Sequence, residues 1–262
     1  IRIFCNPSID KIVVCPPTYG MYEVAANIND VMVLSVPLTH TFQLDTEALQ
    51  HVISQSEPNT LKLIFLCTPN NPTGNSIDNI EWVLANFNGI VVVDEAYIDF
   101  SERTSFIEKL VLYPNLVVVQ TFSKAWGLAA ARIGIAYASE TIIALMQKVK
   151  PPYNVSSLNQ EAALKALDNE HVIVHQKAHI LEQRTYLETS LSQLPIVKKV
   201  FPSDANFILI EVEDADKLYE HLVIKNIVVR NRNTIIKNCL RITIGTIVEN
   251  QYLIEVLKRY AA

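Results

Sequence analysis

Ile90-Val91-Val92-Val93-Asp94-Glu95-Ala96-Tyr97 is the stretch on which the fold turns. Four apolar residues in succession, with no polar alternate, describe a short strand covered on both faces. Such strands belong to parallel sheets sandwiched between helices. The run closes on an acid, which sets a carboxylate at the end of a buried strand, where it needs a cation or hydrogen-bond donors. Working outward, Ile12–Cys15, Val31–Val36, Leu61–Cys67, Leu116–Gln120 and Ile133–Ala138 read as strands, several of them apolar on both faces. Between them the spacing predicts helices over Gly20–Ile28, Asp45–Gln55, Ser76–Asn86, Ser105–Leu112 and Glu140–Lys148, with capping residues at Asp45–Glu47 and Ser76–Asn79. Alternation of this kind is α/β: a mostly parallel sheet covered by helices.

After Lys150 the texture changes. Pro151–Pro152 is a break, and helical periodicity then runs from Leu158 to Leu194. Strands are predicted at Val197–Phe201, Phe207–Val212, Ile227–Val229 and Leu240–Ile244, with a helix over Asp216–Lys225 and another from Glu249. The chain is therefore expected to divide into a large domain over 1–155 and, over 156–262, a helical region with a smaller α+β domain. No internal repeat or low-complexity segment interrupts either part.

Composition narrows the function classes. Of 262 residues, 50% are apolar and 19% charged, enough to bury a substantial core and too little polarity for disorder. Lys and Arg number 22 against 27 Asp and Glu, a formal charge of −5 that argues against a nucleic-acid-wrapping protein while leaving room for a local anion pocket. Cys5, Cys15, Cys67 and Cys239 form no CxxC pair and sit in apolar runs, which reads as buried free thiols of a reducing compartment. No apolar stretch reaches the length of a membrane span and no secretory leader pattern opens the chain, so a soluble cytoplasmic protein with no membrane partner is expected.

Four segments fall at or near predicted strand ends, where open α/β sheets bind ligands. They are Cys15-Pro-Pro-Thr-Tyr19, Asn70-Asn71-Pro72-Thr73-Gly74, Asp94-Glu95-Ala96-Tyr97 and Thr121-Phe122-Ser123-Lys124, the last followed by Arg132. An apolar run closed by Asp also suits the acidic strand of a phosphate-loop nucleotidase. None of the 6 glycines is followed by Lys, however, so that loop is absent. Lys124 and Arg132 with the hydroxyls of Thr121 and Ser123 suit a phosphate site beside an amine nucleophile. Taken alone, Asn71-Pro-Thr-Gly is an ordinary turn and Lys124 a solvated charge.

Together, in this order, the segments resemble the fold type I pyridoxal-phosphate aminotransferases. Cys15-Pro-Pro-Thr-Tyr-Gly-Met-Tyr22, Thr68-Pro-Asn-Asn-Pro-Thr-Gly74, Val93-Asp-Glu-Ala-Tyr-Ile98 and Cys239-Leu-Arg-Ile-Thr-Ile-Gly245 are most similar to the signatures of the histidinol-phosphate aminotransferase family. The resemblance spans essentially the whole chain and is weakest around Asp168–Gln193. It implies a three-layer large domain, pyridoxal 5′-phosphate as cofactor, and a homodimer. Lys124 is implied to bond the cofactor aldehyde and to shuttle the substrate proton, and Asp94 to keep the ring nitrogen protonated. Asn71 and Tyr97 would donate to the ring oxygen, Tyr19 would stack on the ring, and Thr121, Ser123 and Arg132 would hold the 5′-phosphate.

On the substrate side, the resemblance assigns the anionic groups of histidinol phosphate and 2-oxoglutarate or glutamate to Arg230 and Arg241; an Arg within Leu-Arg-Ile-Thr-Ile is already odd unless it meets an anion. Asn206 opens a strand and is placed on the substrate side. An aromatic-amino-acid aminotransferase, a phospho-amino-acid decarboxylase of the same fold and a non-catalytic truncated form are the competing readings. Two departures stand out. The family carries, upstream of the position of Ile1, a turn that binds the cofactor phosphate and an arm that reaches the partner subunit, so the N-terminal part of the large domain is expected to be missing here. Ala130 stands where the family usually has Gly, which demands a negative φ or strain. His171, His175 and His179 recur at helical spacing and are read as a solvated face, with no metal site.

Overall fold

The computed structural model describes residues 1–261. Strands β1 (Lys11–Val14), β2 (Met32–Ser35), β3 (Leu61–Cys67), β4 (Ile90–Asp94), β5 (Leu116–Thr121) and β6 (Gly134–Ala138) form one sheet in the order β2-β1-β3-β4-β5-β6. Every pairing is parallel except the last, where β6 runs antiparallel to β5. Side chains alternate across the strands, and each face has its own cover. Val91 and Val93 look toward α2 (Thr46–Gln55) and α3 (Ile80–Asn86), meeting Leu49, Ile80, Val83 and Leu84. On the other face Val92 and Val117 meet Ile142 of α4 (Glu140–Val149), and Ile12 and Val14 meet Tyr22 and Ala26 of α1 (Met21–Ile28). This is the three-layer α/β arrangement that the doubly apolar runs imply.

The second sheet is antiparallel throughout, in the order β7 (Val197–Val200), β8 (Phe207–Val212), β10 (Cys239–Thr243), β9 (Arg230–Asn231). One of its faces, with Ile208, Ile210, Leu240 and Ile242, packs on α6 (Glu170–Ser192), α7 (Ala215–Ile224) and α8 (Ile247–Ala261). The opposite face turns Phe207 toward Tyr97, Phe100 and Ala125 of the first sheet's loops. Three ties join the sheets: Asp204 N–H donates to Gly74 O at 2.8 Å, the Asp204 carboxylate accepts from Ser76 N–H at 3.1 Å, and Arg184 donates to Phe100 O and Ala205 O at 3.1 Å each. Gly74 lies at φ +86°, and a Cβ there would come within 2.6 Å of Ser203 Oγ, so this turn requires glycine twice over.

Several boundaries differ from the sequence expectation. The helix expected over Ser76–Asn86 begins only at Ile80. Ser76 and Asp78 spend their N–H groups on Asp204 and Gln43, and Asn79 adopts a left-handed conformation at φ 62°. Ser105–Leu112 shortens to a 3₁₀ turn over Phe106–Lys109, with Ser105 as its cap. The long helical run is two helices, α5 (Ser157–Asp168) and α6, broken at Asn169. Ile227–Val229 is an approach segment, and ladder pairing starts at Arg230.

All four cysteines are buried and free. Among the described residues no helix is long and apolar enough to cross a membrane. On α6 the His175 and His179 rings lie 4.9 Å apart, and among the described residues no group of three or more metal-capable side chains assembles.

Candidate active site

The C-terminal ends of β1, β3, β4 and β5 open on a cavity of about 300 Å³. Parallel strands deliver their C-terminal loops to one edge of the sheet, and the order β2-β1-β3-β4 reverses direction there, leaving a crevice between diverging loops. Tyr19, Asn71, Asp94, Tyr97, Thr121, Ser123, Lys124 and Arg132 all line it, with Cys67 among the remaining wall residues. The amine of position 124 and the acid of position 94 thus share one small chamber.

Asp94 forms the floor. Its Oδ1 accepts from Ala96 N–H at 3.0 Å and its Oδ2 from the Tyr22 hydroxyl at 2.6 Å. Burial pushes its carboxyl above the usual range, opposed by the Tyr22 and Ala96 donors and by the charge of Lys124. Tyr22 was not legible as a site residue. It lies on the first turn of α1, three positions after Tyr19, where helical spacing turns both rings to one side; they meet edge-on at 5.6 Å. The Tyr22 ring stacks on Phe65 at 4.9 Å, and burial raises its hydroxyl pKa well above normal, which keeps it a donor.

Lys124 sits with Nζ 5.1 Å from the Tyr97 ring centroid. Tyr97 is buried, edge-on to Phe207 at 5.1 Å, and burial raises its hydroxyl pKa, partly offset by Arg241. Glu95, next to Asp94 along the chain, turns away as strand alternation requires. Its carboxylate accepts from Ser105, the Phe106 N–H and Gln120, a structural knot behind the site.

Thr121, Ser123 and Arg132 line one corner of the cavity. Thr121 Oγ1 accepts from Ser123 N–H at 3.0 Å and donates to Ile133 O at 3.2 Å, so the turn is prefolded. Ala130 lies within the 3₁₀ turn Ala129–Ala131 and keeps a negative φ; the left-handed residue is Arg132, at φ 54°. The left-handed backbone foreseen for alanine falls two residues later, on the arginine.

Arg241 reaches the cavity through Asn71. Its Nη1 donates to Asn71 Oδ1 at 2.6 Å, and its guanidinium lies 4.6 Å over the Phe207 ring. Arg230 stands directly across from Arg241 in the β9–β10 ladder and is exposed. Asn206 does not line the cavity; its carbonyl accepts from Ile244 N–H, continuing β8 toward β10. Arg232 shares this neighbourhood and was missed, although Arg-x-Arg at strand spacing places two cations on one face.

Comparisons with known proteins identify the family. The family model described as aminotransferase class I and II matches residues 1–257. Curated histidinol-phosphate aminotransferases of Cytophaga hutchinsonii and Parabacteroides distasonis are each 51% identical, over 99% and 98% of this chain and 75% of their own lengths. Among solved structures, the histidinol-phosphate aminotransferase of Clostridium acetobutylicum superposes with a TM-score of 0.88 at 24% identity, over 97% of this chain and 78% of that one. That of Sinorhizobium meliloti, in complex with pyridoxal-5′-phosphate, gives 0.84 at 23% identity, over 97% and 72%. With the cavity's residue set and these relatives together, the chain belongs to the class I and II aminotransferases and, within them, to the histidinol-phosphate aminotransferase family.

Proposed function

We propose that this pyridoxal-phosphate-dependent aminotransferase moves the amino group of histidinol phosphate to 2-oxoglutarate, a step of histidine biosynthesis, with both substrates using one pocket in turn. The observation that carries the reading is the shared chamber of Lys124 and Asp94. Its donor set suits the cofactor. A half-buried acid with two hydrogen bonds and free lone pairs could pair with a ring nitrogen, an amine stands beside it, and two hydroxyls with an arginine could hold a phosphate.

When bound, pyridoxal 5′-phosphate supplies a carbonyl that captures the substrate nitrogen and an electron-poor ring that takes up the electron pair left by the departing proton. Asp94, held by the Tyr22 and Ala96 donors, would pair with the ring nitrogen. Tyr97 and the Asn71 amide would donate to the cofactor's ring oxygen, and Tyr19 would cover the ring. Thr121, Ser123 and Arg132 hold the phosphate. The Lys124 amine, tethered by four methylenes and exposed, is free to swing and would take the proton released from the substrate carbon. Arg241 and Arg230 bind the anionic groups of the substrates. We also take the enzyme to be a cytoplasmic homodimer. Buried free thiols suit a reducing compartment, and exposed Leu158, Leu164 and Val174 leave apolar surface for a second copy.

Purified protein mixed with the cofactor should gain a visible absorbance band that borohydride abolishes, with the added mass on Lys124. Histidinol phosphate should then turn over far better than phenylalanine. A colourless protein, or the reverse preference, would overturn the reading.

Tyr22→Phe removes a donor from the charged form of Asp94, which raises that carboxyl further. Activity that needs the carboxylate is lost below its pKa, so the acid limb of the pH profile is expected to move to higher pH. At its optimum, kcat/KM should fall roughly tenfold, the usual worth of a hydrogen bond to a charged group. An acid limb that stays in place would remove Tyr22 from this role.

A further inference from the structure

Two buried arginine nitrogens lack any hydrogen-bond partner, and they are neighbours: Nε of Arg241 and Nε of Arg232. Strand geometry explains the company they keep. Arg230 pairs with Arg241 across the β9–β10 ladder, and Arg232 N–H donates to Cys239 O at 2.9 Å, continuing that ladder by one register step pair. Residues two apart on a strand share a face, so Arg230 and Arg232 on one strand and Arg241 on the next turn the same way. That is the face on which Arg241 covers Phe207, beside Tyr97. The alternate residues, Asn231 and Asn233, donate instead to the two oxygens of Asp216 at 2.6 and 2.7 Å, which anchors the turn from the other side.

Among the described residues, none of the three arginines takes part in an ion pair. Burial, then the charge of Arg230, lowers the Arg232 pKa, and burial dominates at Arg241, with Arg232 and Arg230 adding to it. Like charges held together with unpaired donors have a high cost unless an anion joins them. A carboxylate offers two oxygens and one charge. A phosphate monoester offers three oxygens and about two charges at neutral pH, which better matches three guanidiniums.

We propose that Arg232 is a third guanidinium of the substrate anion site and sets its preference for amines bearing a phosphate ester. This rests on the transamination reading above and adds a specificity residue to it.

The test uses the cofactor-loaded enzyme and two amines, histidinol phosphate and histidinol, which lacks the phosphate. Arg232→Gln should lower kcat/KM for histidinol phosphate roughly 10- to 100-fold and leave that for histidinol within about threefold. Arg232→Lys should recover part of the loss. By calorimetry, inorganic phosphate should bind the loaded Arg232→Gln protein at least about tenfold more weakly than the wild type. Equal losses on both amines with unchanged phosphate binding would make Arg232 a structural cation of the turn and overturn the proposal. If the wild type ignores histidinol phosphate while its phosphate binding still depends on Arg232, the substrate reading falls and the anion site stands. If phosphate binding is indifferent to Arg232, the proposal falls whatever amine the wild type accepts.

Discussion

Lys124→Ala is expected to lower transamination by on the order of 10⁶-fold, the scale of losing an enzyme's covalent nucleophile. On the proposed function the loss combines two roles in one side chain, bonding the cofactor and carrying the proton, so no neighbour could substitute. Tyr97 and Asp94 stand close by, but the first is held protonated by burial and the second is committed to its two donors. The side chain is exposed and packs into no core cluster, so the thermal midpoint should not move. Single-turnover measurements with histidinol phosphate, together with borohydride treatment and mass analysis, check both functions. Turnover within about a hundredfold of the wild type would reduce Lys124 to an auxiliary acid–base group.

The second large effect has opposite signs in stability and activity. Asp94→Asn should lower kcat by on the order of 10³-fold, because in the proposed role an amide could not hold a proton on the cofactor's ring nitrogen. The cofactor-free protein should meanwhile become more stable at neutral pH. Burial raises the Asp94 carboxyl above its ordinary value despite Tyr22, Ala96 and Lys124. An acid whose pKa rises on folding contributes most below its unfolded pKa, and that contribution is lost as the pH climbs through the folded value. At neutral pH the ionised Asp94 therefore weighs against the fold, and asparagine relieves it while still accepting from Tyr22. Melting curves across pH should show the variant above the wild type near neutrality, with the gap closing below the ordinary carboxylate range. A variant that melts lower at every pH would mean that Asp94 is a structural anchor first.

The parts of the molecule legible from the amino acids are those with a one-dimensional signature. Leu61–Cys67 and Phe207–Val212 are strands over the expected residues because each is a short apolar run interrupted by a single charged residue, Lys62 or Glu211. The wall of the cavity was legible only through the order in which Asn71, Asp94 and Lys124 recur in a known family; each taken alone reads as an ordinary turn, a strand-end acid or a solvated charge. Helix starts were less so. Ser76 and Asp78 look like caps, but their N–H groups are claimed by Asp204 and Gln43, partners 128 and 35 positions away. The break at Asn169 leaves no mark in a periodicity that tolerates one asparagine. Tyr22 and Arg232 acquire the roles proposed for them only from what the fold brings opposite them, a carboxylate 72 positions on and a neighbouring strand.

The contact between Arg241 and Asn71 has a directional consequence. A primary carboxamide is a two-ended group, and rotating it by half a turn exchanges acceptor for donor with almost no change in shape. With Oδ1 gripped by Arg241 at 2.6 Å, the amide can offer only hydrogens to whatever lies on its far side. The small sheet thereby dictates the polarity that the large sheet presents to its guest, and a lesion at position 241 would scramble that polarity as well as removing a positive charge.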